Sequence, residues 1–425
     1  MGKRSHSIRA WAIWLLAALF MFYKYAVEVA PSVMTGPLMS SFQISGAQLG
    51  ALAASYFYAY LLLQIPAGFM LDRYGPRKTT TVAIAVCALG SILFSEAETL
   101  FAAEAGRFFV GAGAAFAAVN CLKLTANWFP AKRFALMAGL MMSLAMLGAV
   151  GGQAPLAKFI DKFEWRLSMR YIGLGGVILG LFFWLIVKDK APNHRLEKMF
   201  VPGEISAWAS LKKILTSSQS WWLSIYSGFA FAPVMIFGGL WGVSFISEAH
   251  RLSESIAASQ VSLIFIGFAV GAPLFGYLSD RLGKRKDVMV WGTLLALLSI
   301  SSIIYLPTMS LFLVSILLFI FGFSISCFLL CFTMIREISQ PAIAATAIGF
   351  MNAFDAIFGA FSDPLAGKIL DTQWQGAMEG GARLFSVDAY QIAFLMIPIY
   401  LVIALISLLK VKETYCKPSF PFQLP

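Results

Sequence analysis

Apolar residues form long runs along the chain, and short polar segments separate these runs. A helix needs roughly 20 apolar residues to cross a hydrocarbon core of about 30 Å. Runs of this length, or close to it, lie at about 10–31, 47–71, 79–96, 101–126, 135–156, 169–187, 221–247, 259–279, 288–306, 309–334, 342–366 and 390–409. The pattern predicts an all-α membrane protein of twelve transmembrane helices, with six on each side of a polar break.

The polar break divides the predicted helices into two halves. We expect an N-terminal six-helix bundle at 1–187, a cytoplasmic linker at 188–220, a C-terminal six-helix bundle at 221–410 and a cytoplasmic tail at 411–425. Lys and Arg are about threefold more frequent in the loops on one side than on the other, and cytoplasmic loops carry such an excess. The bias predicts that both termini are cytoplasmic.

The composition supports this interpretation. Hydrophobic residues make up 59% of the chain and charged residues 12%, whereas soluble domains average about 25% charged residues. The net charge of +11 could indicate nucleic acid, but the basic residues lie in short loops between apolar runs. We therefore expect membrane lipid, and no nucleic acid, as a partner. The five cysteines show neither metal-ligand nor disulfide spacing.

One motif occurs twice. The segments GFMLDRYGPRK at 68–78 and GYLSDRLGKRK at 276–286 both follow the second predicted span of their half, and both read G-x-x-x-D-R-x-G-x-R-K. Duplication of a six-helix unit explains this recurrence. The repeated positions are Gly68, Asp72, Arg73, Gly75, Arg77 and Lys78 in the first half, and Gly276, Asp280, Arg281, Gly283, Arg285 and Lys286 in the second.

The residue types of this motif suit a charged turn at a membrane surface. Gly75 and Gly283 permit a tight turn with positive φ. Asp72 and Asp280 can accept hydrogen bonds from a helix N-terminus or pair with a cation, and the basic residues can bind anionic headgroups. Charge that only sets membrane orientation is the alternative interpretation.

A second element, R-x-x-x-G-x-G, lies in the fourth predicted span at Arg107, Gly111 and Gly113. With these motifs the chain resembles the major facilitator superfamily over essentially its whole length. The stretches FYKYAVEVAPSVM (22–34) and YFYAYLLLQIPAGFMLDRYGPRK (56–78) are similar to a bacterial branch near the lysosomal dipeptide carriers. The resemblance implies two six-helix bundles that move by alternating access, with the repeated loops as an ionic latch. It also implies that Arg107 ties the fourth span to its neighbours.

Charged residues inside the first span form the main candidate for a solute site. Lys24 and Glu28 are one helical turn apart on one face, and a charge in the hydrocarbon core costs at least about 2.5 kcal/mol without a partner. The two residues either satisfy each other or line a cavity. In a cavity, Lys24 would meet a solute carboxylate and Glu28 an amine or a proton.

Other polar residues within spans are further candidates. Asp355 in the eleventh span, with Asn352 on the same side, is either a proton site or a hydrogen-bonded packing acid. Tyr56, Tyr60 and Gln64 form a polar stripe at i, i+4 and i+8, which lines a solute path or joins helices. Asn120 in the fourth span is a weaker candidate of the same kind.

These observations predict a secondary transporter for a small polar solute, such as an amino acid, a short peptide or an organic anion. We expect proton-coupled uptake in a bacterial inner membrane by a monomer, with the proton gradient as the energy source. Facilitated diffusion, proton-driven export and a non-transporting receptor are the alternatives. The chain shows no nucleotide-binding domain, metal site or catalytic constellation, so we expect no enzyme activity and no cofactor.

Overall fold

The computed structural model describes residues 2–130, 133–189, 212–306, 308–340 and 343–417, without the side chains of residues 2–7, 65, 72, 135 and 345. Regular structure in the described chain is helical apart from one hairpin, in which Met378–Glu379 pairs antiparallel with Ala382–Arg383. Most of the predicted linker and the end of the predicted tail lie outside the described residues.

The helices follow one another with short connections. The first eight are α1 (Gly2–Val29), α2 (Thr35–Phe42), α3 (Gly46–Tyr74), α4 (Pro76–Glu96), α5 (Leu100–Ala114), α6 (Ala117–Trp128), α7 (Phe134–Gly151) and α8 (Ala154–Ile186). Those after the linker are α9 (Ser218–Pro233), α10 (Gly242–His250), α11 (Glu254–Leu282), α12 (Lys286–Tyr305), α13 (Leu311–Ile325), α14 (Leu330–Ile338), α15 (Ala344–Gln373), α16 (Val387–Ala393) and α17 (Met396–Lys410).

Three short segments complete these elements. Residues Ala30–Val33 and Ser326–Leu329 are 3₁₀ turns, and Val234–Trp241 is a π-helix between α9 and α10. Helix α8 is interrupted at Glu164, whose backbone has φ 62° and ψ 160°.

Ten helical segments of the described chain are long and apolar enough to cross a bilayer. One of them, Leu136–Ile186, has 51 residues and includes both α7 and α8. Helix α15, with 30 residues, is not among the ten. The all-helical membrane fold is therefore confirmed, while the count of twelve spans stays a prediction.

The chain forms two compact units. The first contains the described residues within 1–195, 238–262 and 360–392. It therefore includes α1–α8 together with α10 and parts of α11 and α15. Helices α3 and α5 touch within it, because a Cβ atom on Gly111 would lie 2.0 Å from the carbonyl oxygen of Tyr56. Such contacts require glycine, as is common between membrane helices.

The second unit contains the described residues within 196–237, 263–359 and 393–425. It includes α9, α12–α14 and α17, with the remaining parts of α11 and α15. The loop before α12 turns at Gly283, where φ is 64°, and the corresponding loop of the first unit turns at Gly75, where φ is 84°. Both conformations favour glycine.

Candidate functional site

Two buried charges lie together in α1. Lys24 and Glu28 are each 6% exposed, and the Lys24 ammonium forms an ion pair with Oε2 of Glu28. The hydroxyl of Tyr56, in α3, donates a 2.7 Å hydrogen bond to the same carboxylate oxygen. Helical spacing places both charges on one face of α1, and the close approach of α3 brings the tyrosine to that face.

Aromatic rings surround the Lys24 ammonium. Its Nζ atom lies 3.6 Å from the ring centroid of Tyr25 and 5.2 Å from that of Tyr60. The rings of Tyr56 and Tyr60 stack with centroids 6.0 Å apart. Cation–π attraction to these rings partly replaces the water that the ammonium loses on burial.

Arg107 binds the end of α1 from α5. The residue is 1% exposed, and its two terminal nitrogens donate to the carbonyl oxygens of Val27, at 2.7 Å, and of Glu28, at 3.2 Å. Its guanidinium carbon lies 5.3 Å from the ring centroid of Tyr56. The Nε atom has no hydrogen-bond partner in the described structure. Arg107 therefore joins α5 to α1 beside the Lys24–Glu28 pair.

The other predicted polar residues of the first unit lie apart from this pair. Asn120 is fully buried, and neither polar atom of its amide has a partner in the described part of the chain. The Oε1 atom of Gln64 is likewise buried without a described partner. No described contact joins either residue to Lys24 or Glu28. Of the predicted stripe, Tyr56 and Tyr60 therefore contact the ion pair in the described structure, and Gln64 does not.

Asp355 occupies a separate polar position in the second unit. It is 7% exposed, and its Oδ1 atom accepts a 2.6 Å hydrogen bond from the hydroxyl of Ser227 in α9. Asn352, three residues earlier in α15, is half-buried. The hydrogen bond fits both interpretations of Asp355, because a serine hydroxyl satisfies a packing acid and a proton-carrying acid equally well.

The repeated motif of the second unit forms an ionic network. Arg285 donates to Oδ1 of Asp280 at 2.6 Å and to Oε1 of Glu337, at the end of α14, at 2.9 Å. Burial lowers the pKa of Arg285, but the hydrogen bonds with Glu337 and Asp280 outweigh this effect and raise it above its ordinary value. Gly276 is half-buried, and Arg281 is exposed and forms no ion pair in the described structure.

The segment after α17 forms hydrogen bonds with Arg285 and Lys286 of the second repeated motif. Glu413 accepts hydrogen bonds from the backbone N–H groups of Arg285, at 3.0 Å, and Lys286, at 2.8 Å. These N–H groups belong to the start of α12, where a carboxylate is favourable. Lys286 also donates from Nζ to the carbonyl oxygen of Val411 at 3.0 Å.

The repeated motif of the first unit has different partners. The backbone N–H of Arg77 donates to Oδ1 of Asp189 at 2.7 Å, and its Nε donates to the carbonyl oxygen of Trp184 at 2.8 Å. Asp189 follows α8 as Glu413 follows α17. The side chain of Asp72 lies outside the described structure, so its part in a latch stays a prediction. Gly68 is half-buried, whereas Arg73 and Lys78 are exposed.

Sequence reasoning missed these acidic partners. Asp189 and Glu413 are acids just beyond the last apolar run of each half, and this shared position was the available signal. Glu337 ends the fourth span of its half and lies 52 residues from Arg285. Nothing in its local sequence indicates that contact.

A further polar cluster lies in the first unit, near Gly46 at the start of α3. We call this end of the unit the distal end, because the 72–78 loop lies at the opposite end of α3. Asp371, near the end of α15, accepts hydrogen bonds from the backbone N–H groups of Gly46 and Ala47, both at 2.8 Å. Arg383 donates to the same carboxylate at 2.9 Å. We call this arrangement the distal clasp. It satisfies two N–H groups at the start of α3 that have no partner within the helix.

The distal end also contains a cavity of about 780 Å³. Its walls include Trp165, Trp241 and Tyr390. Carboxylates predominate among its charged lining residues, which are Glu164, Glu248, Glu254, Glu379 and Arg383. The cavity is therefore an electronegative space.

Comparison with known proteins identifies the class of this protein. The family model described as Major Facilitator Superfamily matches residues 13–244 and residues 228–419. The chain belongs to this family, whose members are membrane transporters and not enzymes. It is an integral membrane protein.

Curated relatives are named as transporters of several solutes. The chain is 28% identical over 287 residues to the uncharacterized transporter YybO of Bacillus subtilis. The aligned region covers 63% of this chain and 65% of that protein. It is 24% identical to the probable sulfoacetate transporter SauU of Cupriavidus necator, over 63% of this chain and 64% of that one. These matches thus span slightly less than two thirds of the relatives' length. The lysosomal dipeptide transporter MFSD1 of Bos taurus is 25% identical over 87% of this chain and 81% of its own.

Solved structures share the fold. A bacterial homolog of the human lysosomal transporter Spinster, in an inward-facing and unoccupied conformation, has a TM-score of 0.77 and 18% identity, with 98% of this chain and 97% of that chain covered. The nucleoside transporter NupG has a TM-score of 0.72 and 14% identity, with 94% and 100% covered. At this level of identity the comparison establishes the fold alone.

Proposed function

We propose that this protein is a secondary transporter that moves a small anionic or zwitterionic solute across a bacterial inner membrane by proton-coupled uptake. An amino acid, a short peptide and an organic anion are the solute classes that fit. The observation that carries the proposal is the buried Lys24–Glu28 pair, in contact with Tyr56 and close to Arg107.

The pair supports the proposal because its two charges can be exchanged for those of a solute. A solute carboxylate that replaces Glu28 at the Lys24 ammonium leaves Glu28 free to bind a solute amine, so with a zwitterionic solute no buried charge loses its partner. Here Tyr25, Tyr56 and Tyr60 offer π-faces, and the Tyr56 hydroxyl offers a donor. Small-molecule sites combine such apolar walls with a few polar groups.

The names of the relatives agree with a solute that carries an acidic group. They include transporters of sulfoacetate, hexuronate and dipeptides. Each of these solutes bears at least one carboxylate. A buried lysine beside tyrosine rings is a suitable partner for that group.

Transport by alternating access needs contacts that form and break at both faces. We assign the ion pairs and acid-capped turns of the two repeated loops to the cytoplasmic face, together with both termini. The distal clasp and the cavity are then on the outer face. The Asp371 hydrogen bonds support closure of the outer face in the described conformation.

A stabilisation screen tests the proposal. Purified protein is heated with amino acids, dipeptides and organic acids, since a ligand that binds the folded state raises the melting temperature. A stabilising solute is expected to lose its effect on Lys24→Ala and on Glu28→Gln.

The exposed ion pair between Arg170 and Glu96 provides matched controls. Arg170→Ala and Glu96→Gln remove the same types of charge at a surface site, and we expect both to keep the full stabilisation. A solute that stabilises Lys24→Ala and Glu28→Gln as strongly as the controls contradicts the assigned site.

A further inference from the structure

Asp363 is a buried acid that the proposed solute site does not use. It lies in the part of α15 that belongs to the first unit, and it is 3% exposed. Its Oδ1 atom is buried and has no hydrogen-bond partner among the described residues. A buried ionised carboxylate without donors is costly, whereas the neutral acid needs far less solvation. The position of Asp363 is therefore suited to a carboxyl group that carries a proton.

The backbone around Asp363 is tightly held. A Cβ atom on Gly50, in α3, would lie 2.4 Å from the carbonyl oxygen of Asp363. The indole N–H of Trp241 donates to the same oxygen at 3.4 Å. The backbone of Asp363 is thus held where α15 touches α3, and the residue is almost fully buried there.

Arg107, in α5, is the charged side chain with an electrostatic effect on Asp363 in the described structure. It acts electrostatically on Asp363 and also on Glu28. α3 contributes Gly50 and the π-helix contributes Trp241 at this contact, and neither side chain is charged.

The buried charges of the first unit therefore depend on one proton. Lys24, Arg107, Glu28 and Asp363 are neutral as a set when both acids are ionised. When Asp363 carries a proton, the set has one excess positive charge, and Arg107 has no carboxylate that compensates for it. A solute carboxylate then restores neutrality.

A route for the proton leads from the distal end. Trp241, which donates to the Asp363 carbonyl oxygen, also lines the 780 Å³ cavity. The carboxylates around that cavity attract cations and raise the local proton concentration. A lining residue of this electronegative cavity thus contacts the backbone of Asp363, and the proposed orientation places the cavity at the outer face.

We propose that Asp363 binds the coupling proton of this transporter and that its protonation prepares the Lys24–Arg107 region for an anionic solute. The proton passes from water in the distal cavity to a carboxylate oxygen of Asp363, which becomes a neutral carboxylic acid. Its departure after the helices separate restores the carboxylate. This inference rests on the proposed function, and it names the residue that couples proton and solute.

Infrared difference spectroscopy of the full chain in liposomes tests the assignment without a solute. A protonated carboxyl group has a carbonyl stretching band that the carboxylate lacks. We expect a pH titration to reveal such a band in the wild type, and Asp363→Asn to lose it. Asp388→Asn, at an exposed acid of α16, is the control, and this variant is expected to keep the band.

Asp363→Glu provides the second variant, because it retains a carboxyl group at the same position. It is expected to shift the band rather than remove it, and its melting temperature shows whether the protein is folded. A band that is unchanged in both Asp363→Asn and Asp363→Glu overturns the assignment.

Coupling to solute is tested with lactate, alanine and alanyl-alanine as probes in the stabilisation assay. In the wild type, the concentration for half-maximal stabilisation is expected to rise by up to about tenfold per pH unit in the range where the proton is lost. In Asp363→Asn we expect it to be independent of pH, because the amide resembles the neutral acid. A pH dependence that persists unchanged in Asp363→Asn overturns the coupling.

The two proposals fail in different ways. If none of the three probes stabilises the wild type, the solute class of the proposed function is wrong. The loss of the infrared band in Asp363→Asn still supports Asp363 as the proton site in that case.

Discussion

The hydroxyl of Tyr56 donates a 2.7 Å hydrogen bond to the Glu28 carboxylate oxygen that also pairs with Lys24. This contact ties α3 to α1 at a buried charge. A solute that binds the Glu28 carboxylate must change this hydrogen bond, so the Tyr56 hydroxyl is expected to respond directly to solute binding.

Removal of the Tyr56 hydroxyl is expected to weaken the solute site while the fold is retained. Tyr56→Phe loses a hydrogen bond to a charged group, which typically contributes about 1.5–3 kcal/mol. We expect a lower melting temperature and weaker solute stabilisation. Tyr58→Phe is the control because Tyr58 is 47% exposed. Equal behaviour of the two variants would show that the hydrogen bond has no role.

We expect the protein to be destabilised less when Lys24 and Glu28 are swapped than when Lys24 alone is removed. Lys24→Ala leaves Glu28 buried without its cation, and breaking a buried pair in this way costs about 3–5 kcal/mol. The double variant Lys24→Glu with Glu28→Lys restores opposite charges at the same two positions. Thermal unfolding should show a larger loss for the single variant, and the opposite order would contradict the paired geometry.

The distal clasp is expected to open when its carboxylate is neutralised. Asp371→Asn keeps the shape of the side chain but loses the charge that favours the N–H groups of Gly46 and Ala47. We expect a lower melting temperature and faster labelling of a cysteine introduced at Thr35, in a Cys416→Ser background, by a thiol reagent. Asp388→Asn, at an exposed acid of α16, is the control. Labelling that is unchanged in Asp371→Asn would show that the clasp does not close this end.

Cys416 provides a pH-dependent probe of the second repeated loop. Burial raises the pKa of its thiol, and Glu337 raises it further, while Arg285 opposes both effects. Only the thiolate is alkylated, so the rate rises as pH increases through this pKa. Glu337→Gln should therefore move the midpoint of the pH–rate profile to lower pH. Cys416→Ser identifies the signal, and a midpoint that stays in place or rises would contradict the network.

Much of the fold could be predicted from the chain because lipid imposes a simple rule. Apolar runs of spanning length indicated the membrane helices. The division into two six-helix halves, which the repeated motif indicates, stays a prediction. The extent of single helices was less accurate. Helix α8 begins at Ala154, well before the apolar run at about 169–187, because a polar segment continues it up to the break at Glu164.

The candidate site was only partly predictable. Lys24 and Glu28 share a helix face by local spacing alone, so their contact could be expected. Asp371 contacts Gly46 across 325 residues of sequence, and Arg107 acts electrostatically on Asp363 from another helix. Such contacts depend on how helices pack, which no local pattern determines. Gln64 lies one helical turn after Tyr60, so the local spacing placed it in the same polar stripe. No contact of Gln64 with Lys24 or Glu28 is found in the described structure.

Uptake into proteoliposomes tests the central claim most directly, with radiolabelled alanyl-alanine, alanine and lactate supplied outside under an inward proton gradient. We predict that at least one probe accumulates with the wild type and with Arg170→Ala, and that Lys24→Ala and Glu28→Gln reduce its initial uptake rate at least tenfold in folded protein. Uptake that continues at the wild-type rate in both variants would show that the buried pair in α1 is not the solute site.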